Sequence, residues 1–247
     1  MKKNELDLIF VKSEVGRPKS EVTLNRGHFA PRTSDFGLKP LLLLAFCFCV
    51  QLSFAQRTEM SATAASDFKK KVQESTSSIE TIISNFVQKK HLDFLANDIE
   101  TFGKMFFQSP NMIKWEYTDP YQYSVIFKEE QLYINDDGDK SEVDLGSNKM
   151  FQSLNSLIAK SIKGDLFDDA QFDISYFKEG DAYIVDFKPK RDELSIYIQT
   201  FQLTFNKDDA QVEEVKMIEP TGDYTRITFK DRVLNMKVDT AVFSPNE

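Results

Sequence analysis

Few residues in the chain have the types and spacing that catalysis requires. Ser66 and Lys69 match the Ser-x-x-Lys spacing of a serine nucleophile and its lysine, but the partner motifs of that site are absent. A helix cap at Ser66 is the interpretation that we favour. His91 is the only histidine after residue 55, and its place between Lys90 and Leu92 favours a strand position on the surface over a role as a general base.

The acidic pairs also have simpler explanations than chemistry. Asp136–Asp139 reads DDGD and could bind calcium, but a tight turn between two short strands explains it better. Glu213-Glu214 and Asp168-Asp169 are typical of solvated surfaces. The chain has no Gly-x-Ser-x-Gly, no glycine-rich phosphate loop and no metal-ligand spacing. We therefore predict no catalytic residue, no metal and no cofactor.

An export signal is the clearest feature near the N-terminus. Pro40–Ala55 reads PLLLLAFCFCVQLSFA after Lys39, with the small pair Ser53 and Ala55 at its end. It is shorter than the roughly 20 residues of a spanning helix, so we predict a secretory signal peptide at 39–55, cleaved near Ala55-Gln56. Residues 1–38 lack periodicity, and we expect translation to start later, so that they form an extension of doubtful status. The mature domain is then 56–247.

Both cysteines, Cys47 and Cys49, fall inside that signal, so the mature chain would be exported without any disulfide. Phe46 and Phe48 precede them, whereas a lipidated cysteine follows a small residue. The formal charge of −8 argues against nucleic acid, whose binding needs clustered Lys and Arg. We expect no nucleic-acid partner, and we expect a monomer.

The elements of the mature chain follow from its periodicity. Phe68, Val72 and Ile79 predict a helix over about 66–79, after a mobile lead-in at 57–65. Period-2 segments separated by turn residues predict strands at 82–94, 98–108, 112–118, 121–128, 131–135, 141–145, 172–178, 182–188, 195–205, 211–219 and 223–232. A second helix is predicted over 147–163, and a helical turn over 239–243.

Consecutive hairpins predict a mainly β fold, a single strongly curved antiparallel sheet of about 10–11 strands. We expect it to form an incomplete, half-open barrel covered by the N-terminal helix and the internal helix. Several strands are apolar on both faces, as at Met105–Phe107 and Val125–Phe127, whereas a sheet with one wet face would alternate. Two helices are too few to cover the second face, and the remainder predicts an apolar cavity or groove.

Several segments, in order, resemble one known family. They are FVQKK at 86–90, GKMFFQSPNMIKWEY at 103–117, the Asp119-Pro120 turn, QLYI at 131–134, YTRITF at 224–229, Leu234-Asn235 and AVFSP at 241–245. Together they resemble the outer-membrane lipoprotein carrier family, LolA, over most of 66–245. The chain departs from the family at Ser109, where proteobacterial members have an Arg that ties the lid to the barrel. It departs again at Glu129-Glu130, where Asp-Gly is frequent.

The resemblance implies a periplasmic carrier without catalysis. Such a protein would receive the acyl chains of lipoproteins from an inner-membrane ABC transporter and deliver them to the outer membrane or its receptor. The resemblance places Ile113 and Trp115 at the family's cavity-facing pair, and Phe68 and Val72 on its lid helix.

Shared strand faces extend that set. We predict that the acyl-binding residues are Met105, Phe107, Ile113, Trp115, Val125 and Phe127. The lid would comprise Phe68, Val72, Phe151, Leu154, Leu157 and Ile158. Ordinary core packing is the alternative for each of these residues.

The sequence is also compatible with two other functions. A LolA-like protein could carry another acyl or polyene lipid in an export or pigment biosynthesis pathway, which Ser109 fits equally well. A secreted hydrolase is the third possibility, and the absence of a nucleophile and base pair weighs against it.

Overall fold

Alternation of buried and exposed side chains organises about half of the described residues into strands. The computed structural model describes residues 57–145, 160 and 167–245. Twelve strands form one antiparallel sheet. They are β1 Thr58–Glu59, β2 Thr81–His91, β3 Ile99–Gln108, β4 Met112–Asp119, β5 Tyr123–Lys128, β6 Gln131–Asp136, β7 Asp139–Asp144, β8 Phe172–Glu179, β9 Ala182–Pro189, β10 Thr200–Asn206, β11 Val212–Ile218 and β12 Tyr224–Leu234.

The spatial order of the strands is β1-β8-β9-β10-β11-β12-β2-β3-β4-β5-β6-β7. Most neighbours are joined by tight turns, and the long pairing of β12 with β2 joins the two runs of hairpins into one sheet. The edge strand β7 reads DKSEVD and is almost entirely exposed, and its charges discourage pairing with another chain. The mainly β, antiparallel prediction is confirmed, and the half-open barrel stays a prediction.

The strand count corrects the predicted 10–11 upward, because the predicted mobile lead-in contains β1. Thr58 and Glu59 pair with Lys178 and Phe177 of β8, and the Met60 N–H donates to the Tyr176 carbonyl at 2.8 Å. A two-residue strand held by its backbone leaves no hydrophobic alternation in the sequence.

The N-terminal helix α1 runs from Ala62 to Thr76 rather than over 66–79. Ser61, not Ser66, is its N-cap, and the Ser61 hydroxyl accepts from the Ala64 N–H at 3.3 Å. The helix ends in a run of hydroxyl residues, where the Thr76 hydroxyl donates to the Val72 carbonyl at 2.8 Å. Ile79 therefore lies beyond the helix, although it is buried.

A short helix, α2 at Asp192–Ser195, replaces the start of the strand predicted at 195–205. Leu194 and Ile198 are both buried at helical spacing, which sequence alternation alone could not distinguish from a strand. A 3-10 turn at Thr240–Phe243 confirms the predicted helical turn. Of the helix predicted over 147–163, only Lys160 is among the described residues, and it is helical. The signal at 39–55 lies outside the described residues.

Candidate functional site

The six predicted acyl-binding residues come together on one face of three adjacent strands. Register pairs Met105 with Trp115 and Trp115 with Val125, and one step along the strands it pairs Phe107 with Ile113 and Ile113 with Phe127. The result is two rows of three cross-strand partners, each residue 4% exposed or less. We call this set the β3–β5 patch.

A stack of aromatic rings borders the β3–β5 patch. The Phe86 ring on β2 lies 5.1 Å from Trp115 and 5.1 Å from Tyr117, edge-on in both cases. Phe86 sits over Gly103, where an added Cβ would come within 2.5 Å of the ring and 2.2 Å of the Glu116 carbonyl. Glycine at 103 therefore permits the close approach of Phe86.

Beyond Phe86 the same face becomes polar. Gln88, Lys90, Thr101 and Thr225 are all buried there, and Gln88 pairs with Thr101 in the register of β2 and β3. The Tyr117 hydroxyl donates to the Gln88 side-chain oxygen at 3.1 Å. Burial, together with nearby Tyr123, raises the pKa of Tyr117, so its hydroxyl keeps its proton at neutral pH.

The predicted lid residues Phe68 and Val72 are buried elsewhere on this face. The Phe68 ring centroid lies 4.7 Å from that of Tyr183 and 5.1 Å from that of Phe205, with Phe167 and Tyr176 at 6.1 and 6.4 Å. We call these five rings the α1 cluster. It stands on β8–β10, whereas the patch stands on β3–β5.

Register shows that the two regions share a face. Leu203, which lies between Phe201 and Phe205 on β10, pairs with Val215, and Val215 pairs with Ile227. Ile227 pairs in turn with Gln88, whose partner Thr101 alternates along β3 with Met105 and Phe107. The remaining predicted lid residues, Phe151, Leu154, Leu157 and Ile158, lie outside the described residues.

Sequence reasoning missed Phe86, Tyr117 and the polar residues beyond them as parts of this face. Gly103, an isolated glycine within a strand pattern, was the available signal of a close approach. The polar residues gave none, because only the long-range pairing of β12 with β2 places Thr225 beside Lys90.

Ser66 and Lys69, whose spacing resembles that of a nucleophile and its lysine, both lie on α1. Both residues line an open cavity of about 430 Å³ beside Tyr176, with the Lys69 Nζ 3.7 Å from the Asp169 carboxylate. Burial lowers the pKa of Lys69, but Tyr176 and Asp169 more than offset this, and the net pKa is raised. A protonated Lys69 cannot accept the proton of Ser66.

The other candidate residues have structural partners. His91, at the end of β2, is half-buried, stacks on Tyr224 at 4.8 Å and faces the Asp98 carboxylate at 2.8 Å. Asp137 and Gly138 have positive φ, which confirms the predicted turn between β6 and β7. The described residues contain no group of three or more potential metal ligands. None of the helices in the described ranges is both long and apolar enough to cross a bilayer.

Comparison with models of known protein families identifies the family of this chain. The model of the family described as outer membrane lipoprotein carrier protein LolA matches residues 77–246. The chain belongs to the LolA family. The match begins just after α1, so it includes the whole β3–β5 patch and leaves out Phe68 and Val72.

Solved structures similar to this LolA-family chain are distant in sequence. A LolA superfamily protein from Nitrosomonas europaea is 9% identical with a TM-score of 0.40, covering 73% of this chain and 97% of that one. The MucA/MucB complex of Pseudomonas aeruginosa gives 12% and 0.42, covering 73% and 60%. The lipoprotein LppX of Mycobacterium tuberculosis gives 9% and 0.38, covering 72% and 99%. No curated protein matches the chain significantly.

Proposed function

We propose that this protein is a periplasmic carrier that shields the acyl chains of lipoproteins in transit. It receives them from an inner-membrane ABC transporter and delivers them to the outer membrane or a receptor there, without catalysis. The observation that carries the proposal is the β3–β5 patch, two buried rows of apolar cross-strand partners in a chain of the LolA family.

The patch suits an acyl chain because of its chemistry. All six of its residues are hydrophobic. The flexible Met105 side chain can adapt to chains of different shape, and the rings of Phe107, Trp115 and Phe127 add a large apolar contact area. The half-open barrel that we propose for the sheet would place this face on the inside. Three strands about 4.8 Å apart give a surface wide enough for parallel chains.

Extraction of acyl chains from a bilayer costs more free energy than binding to a soluble protein can return, so the protein that hands over the lipoprotein must supply energy. Removing an acyl chain from a bilayer costs about 0.8 kcal/mol per CH₂, so two or three chains cost on the order of 25–35 kcal/mol. Non-covalent affinity saturates near about 18–21 kcal/mol. A soluble carrier therefore cannot extract its cargo unaided, and it must bind loosely enough to release it. The ATP-driven transporter fills the first need, and an adaptable apolar surface fills the second.

Burial of the patch implies that binding is gated. Because its residues are at most 4% exposed, an acyl chain reaches them only when neighbouring parts of the protein move. We propose that the moving parts include the lid residues Phe68 and Val72 of α1 together with Phe151, Leu154, Leu157 and Ile158. Export through a signal at 39–55, followed by cleavage near Ala55-Gln56, would bring the domain 56–247 to the periplasm.

The proposal can be tested with inner-membrane vesicles that contain the transporter and a radiolabelled lipoprotein. With ATP, the purified protein should release the lipoprotein into the soluble fraction, and omission of the protein or ATP should prevent this. Trp115→Ala should reduce release strongly. Phe94→Ala is the matched control, because Phe94 is 76% exposed and should be dispensable. Release that is equal with and without the protein would contradict the proposal.

A second candidate function keeps the fold and changes the cargo to another acyl or polyene lipid. The observation that keeps it open is Ser109, which fits both cargoes equally well and precedes Pro110 where the family's proteobacterial members have Arg. The Ser109 backbone N–H donates to the Glu80 carbonyl at 2.8 Å, so the position still joins β3 to the start of β2, but without a charge. Replacing the radiolabelled lipoprotein by a free lipid in the same assay separates the two functions.

A further inference from the structure

The face that carries the β3–β5 patch is graded along its strands. On β3 the buried positions run from Thr101 through Gly103 and Met105 to Phe107. On β2 they run from Lys90 and Gln88 through Phe86 and Ser84 to Ile82. The buried Ser84 hydroxyl is satisfied by the backbone carbonyls of Asn85 and Lys230. One end of the face is therefore polar and the other end is apolar, about 20 Å apart at the rise of an antiparallel strand. A lipid likewise has a polar head group at one end and an apolar tail at the other.

Trp115 lies between the two ends and has an unusual polar atom. Its indole Nε1–H is buried, and it finds no hydrogen-bond acceptor in the described ranges 57–145 and 167–245. Its aromatic neighbours are Phe86 at 5.1 Å and Phe229 at 6.0 Å, neither of which accepts a conventional hydrogen bond. Buried donors are nearly always paired, so a donor left this way calls for a partner.

A second buried polar atom of the same kind lies on the polar side. The Thr101 hydroxyl has no hydrogen-bond partner among the described residues, although Thr101 is fully buried beside Gln88. The Tyr176 hydroxyl, on the same face, is also buried without a partner, but it lies beside Lys69 at an open cavity. The Trp115 Nε1–H and the Thr101 hydroxyl both lie in the direction of the polar end from Phe107, and core packing alone does not account for them. A phenylalanine or valine would fill either place without an unpaired group.

We propose that Trp115 is a specificity-determining residue whose indole Nε1–H donates to the carbonyl oxygen of an acyl ester or amide. The hydrocarbon tail then lies along Phe107, Ile113 and Phe127, and the polar head of the lipid points toward Thr101 and Gln88. This inference rests on the proposed function and adds to it a preferred chemical class, acyl chains over alkyl chains.

The protein offers a single reporter for this contact, because Trp115 is its only tryptophan. Two matched probes are 1-palmitoyl-glycerol, which has an ester carbonyl, and 1-O-hexadecyl-glycerol, an ether that lacks it. In a ¹H–¹⁵N spectrum of the wild-type protein, the ester should move the one indole proton resonance downfield. The ether should bind without that downfield shift.

Affinities provide the second readout. A neutral hydrogen bond contributes about 1 kcal/mol, so the wild-type protein should bind the ester roughly fivefold to tenfold more tightly than the ether. Trp115→Phe should abolish this preference and bind both probes about equally. Tyr133→Phe is the matched control, since Tyr133 pairs with Ile126 on the opposite face and should leave the preference intact.

The possible results distinguish an error in the role of Trp115 from an error in the proposed function. Equal affinity of the wild-type protein for both probes, or an indole resonance that is already downfield and does not move, would overturn the role of Trp115 while leaving lipid binding intact. Failure to bind either probe would overturn the proposed function itself. Because the spectrum and the wild-type comparison need no variant, a folding defect in Trp115→Phe would leave the inference open to refutation.

Discussion

The β3–β5 patch and the α1 cluster are built on the same face of the same sheet, and they differ in what completes them. On β9 and β10, the pairs Phe187–Phe201 and Val185–Leu203 are continued by the Tyr183–Phe205 pair, onto which Phe68 of α1 packs. On β3–β5 the rows are equally regular, but they include an indole N–H that no described residue satisfies.

The difference teaches that identical local patterns can serve stability or binding. The α1 cluster interlocks rings edge-on around Phe68, so α1 is packed as part of the core while the proposed lid is closed. Each region contains one buried polar atom without a hydrogen-bond partner among the described residues. The Tyr176 hydroxyl of the α1 cluster lies beside Lys69 at an open cavity, whereas the Trp115 Nε1–H of the patch lies between the rings of Phe86 and Phe229. An unpaired donor enclosed by rings is what a surface retained for a ligand would show. Variants that treat the two regions alike should therefore have different consequences.

Phe68→Ala should produce the largest change in stability. Phe68 is 3% exposed and touches four rings, and truncation of a buried Phe typically costs about 3–5 kcal/mol. We expect a corresponding loss in the free energy of unfolding, measured by urea denaturation. Lys70→Ala, on the exposed side of α1, should change it little. A loss below about 1 kcal/mol for Phe68→Ala would mean that α1 is not part of the core.

Val125→Phe and Val185→Phe form a matched pair across the two regions. Both valines are completely buried, and overpacking typically costs about 1–3 kcal/mol. We expect similar losses of stability, but only Val125→Phe should weaken the binding of a fluorescent acyl probe. If the two variants weakened binding equally, the distinction between the patch and the cluster would be wrong.

Glu130→Gly should stabilise the hairpin that closes the patch. Glu129 and Glu130 connect β5 to β6 with φ of 51° and 61°, a left-handed conformation that is strained for residues with a Cβ. Glycine at 130 should raise the free energy of unfolding by up to about 1 kcal/mol. Gly138→Ala in the next hairpin, where φ is 100°, should have the opposite sign. Thermal melts of the two variants provide the test.

Asp168 should give a smaller, pH-dependent effect at the entry to β8. The Ala170 N–H, at 3.0 Å, and the Gln171 side chain stabilise the carboxylate and hold the pKa of Asp168 below its ordinary value. A depressed pKa contributes stability that is complete above pH of about 4 and is lost as pH falls through the folded pKa. Asp168→Asn should therefore lower stability at pH 7 and differ less from the wild-type protein at pH 3.

Glu179→Gln, at the exposed end of β8, is the control for removal of one carboxylate. A gap between Asp168→Asn and the wild-type protein that widened on acidification would contradict the direction given for the Asp168 pKa.

The sequence allowed most strands to be predicted, since alternation and turn residues such as Asp137-Gly138 mark them directly. It did not predict β1, whose two residues are held by backbone pairing. It did not predict the start of α1 either, because only the small Ala65 extends the buried stripe before Phe68. The six patch residues could be placed on one face by counting along each strand. Their polar neighbours could not, because Gln88, Thr101 and Thr225 meet only through pairing between strands distant in sequence.

The aromatic residues that contact Phe68 could not be predicted from the sequence either. Tyr183 and Phe205 lie more than a hundred residues away, and nothing in the local pattern of α1 indicates which strands it covers. Sequence alone therefore predicts which residues can form an apolar surface, whereas the long-range register decides which of those surfaces is closed by a helix.

Native mass spectrometry of the protein, purified from a periplasmic extract without detergent, tests the central claim most directly. The account predicts adducts that release lipidated peptides on activation, and it predicts that Val125→Phe reduces them while Val185→Phe retains them. Adducts of free lipid mass would move the protein to the second candidate cargo. A bare mass, together with no uptake of an added acyl probe, would contradict the account.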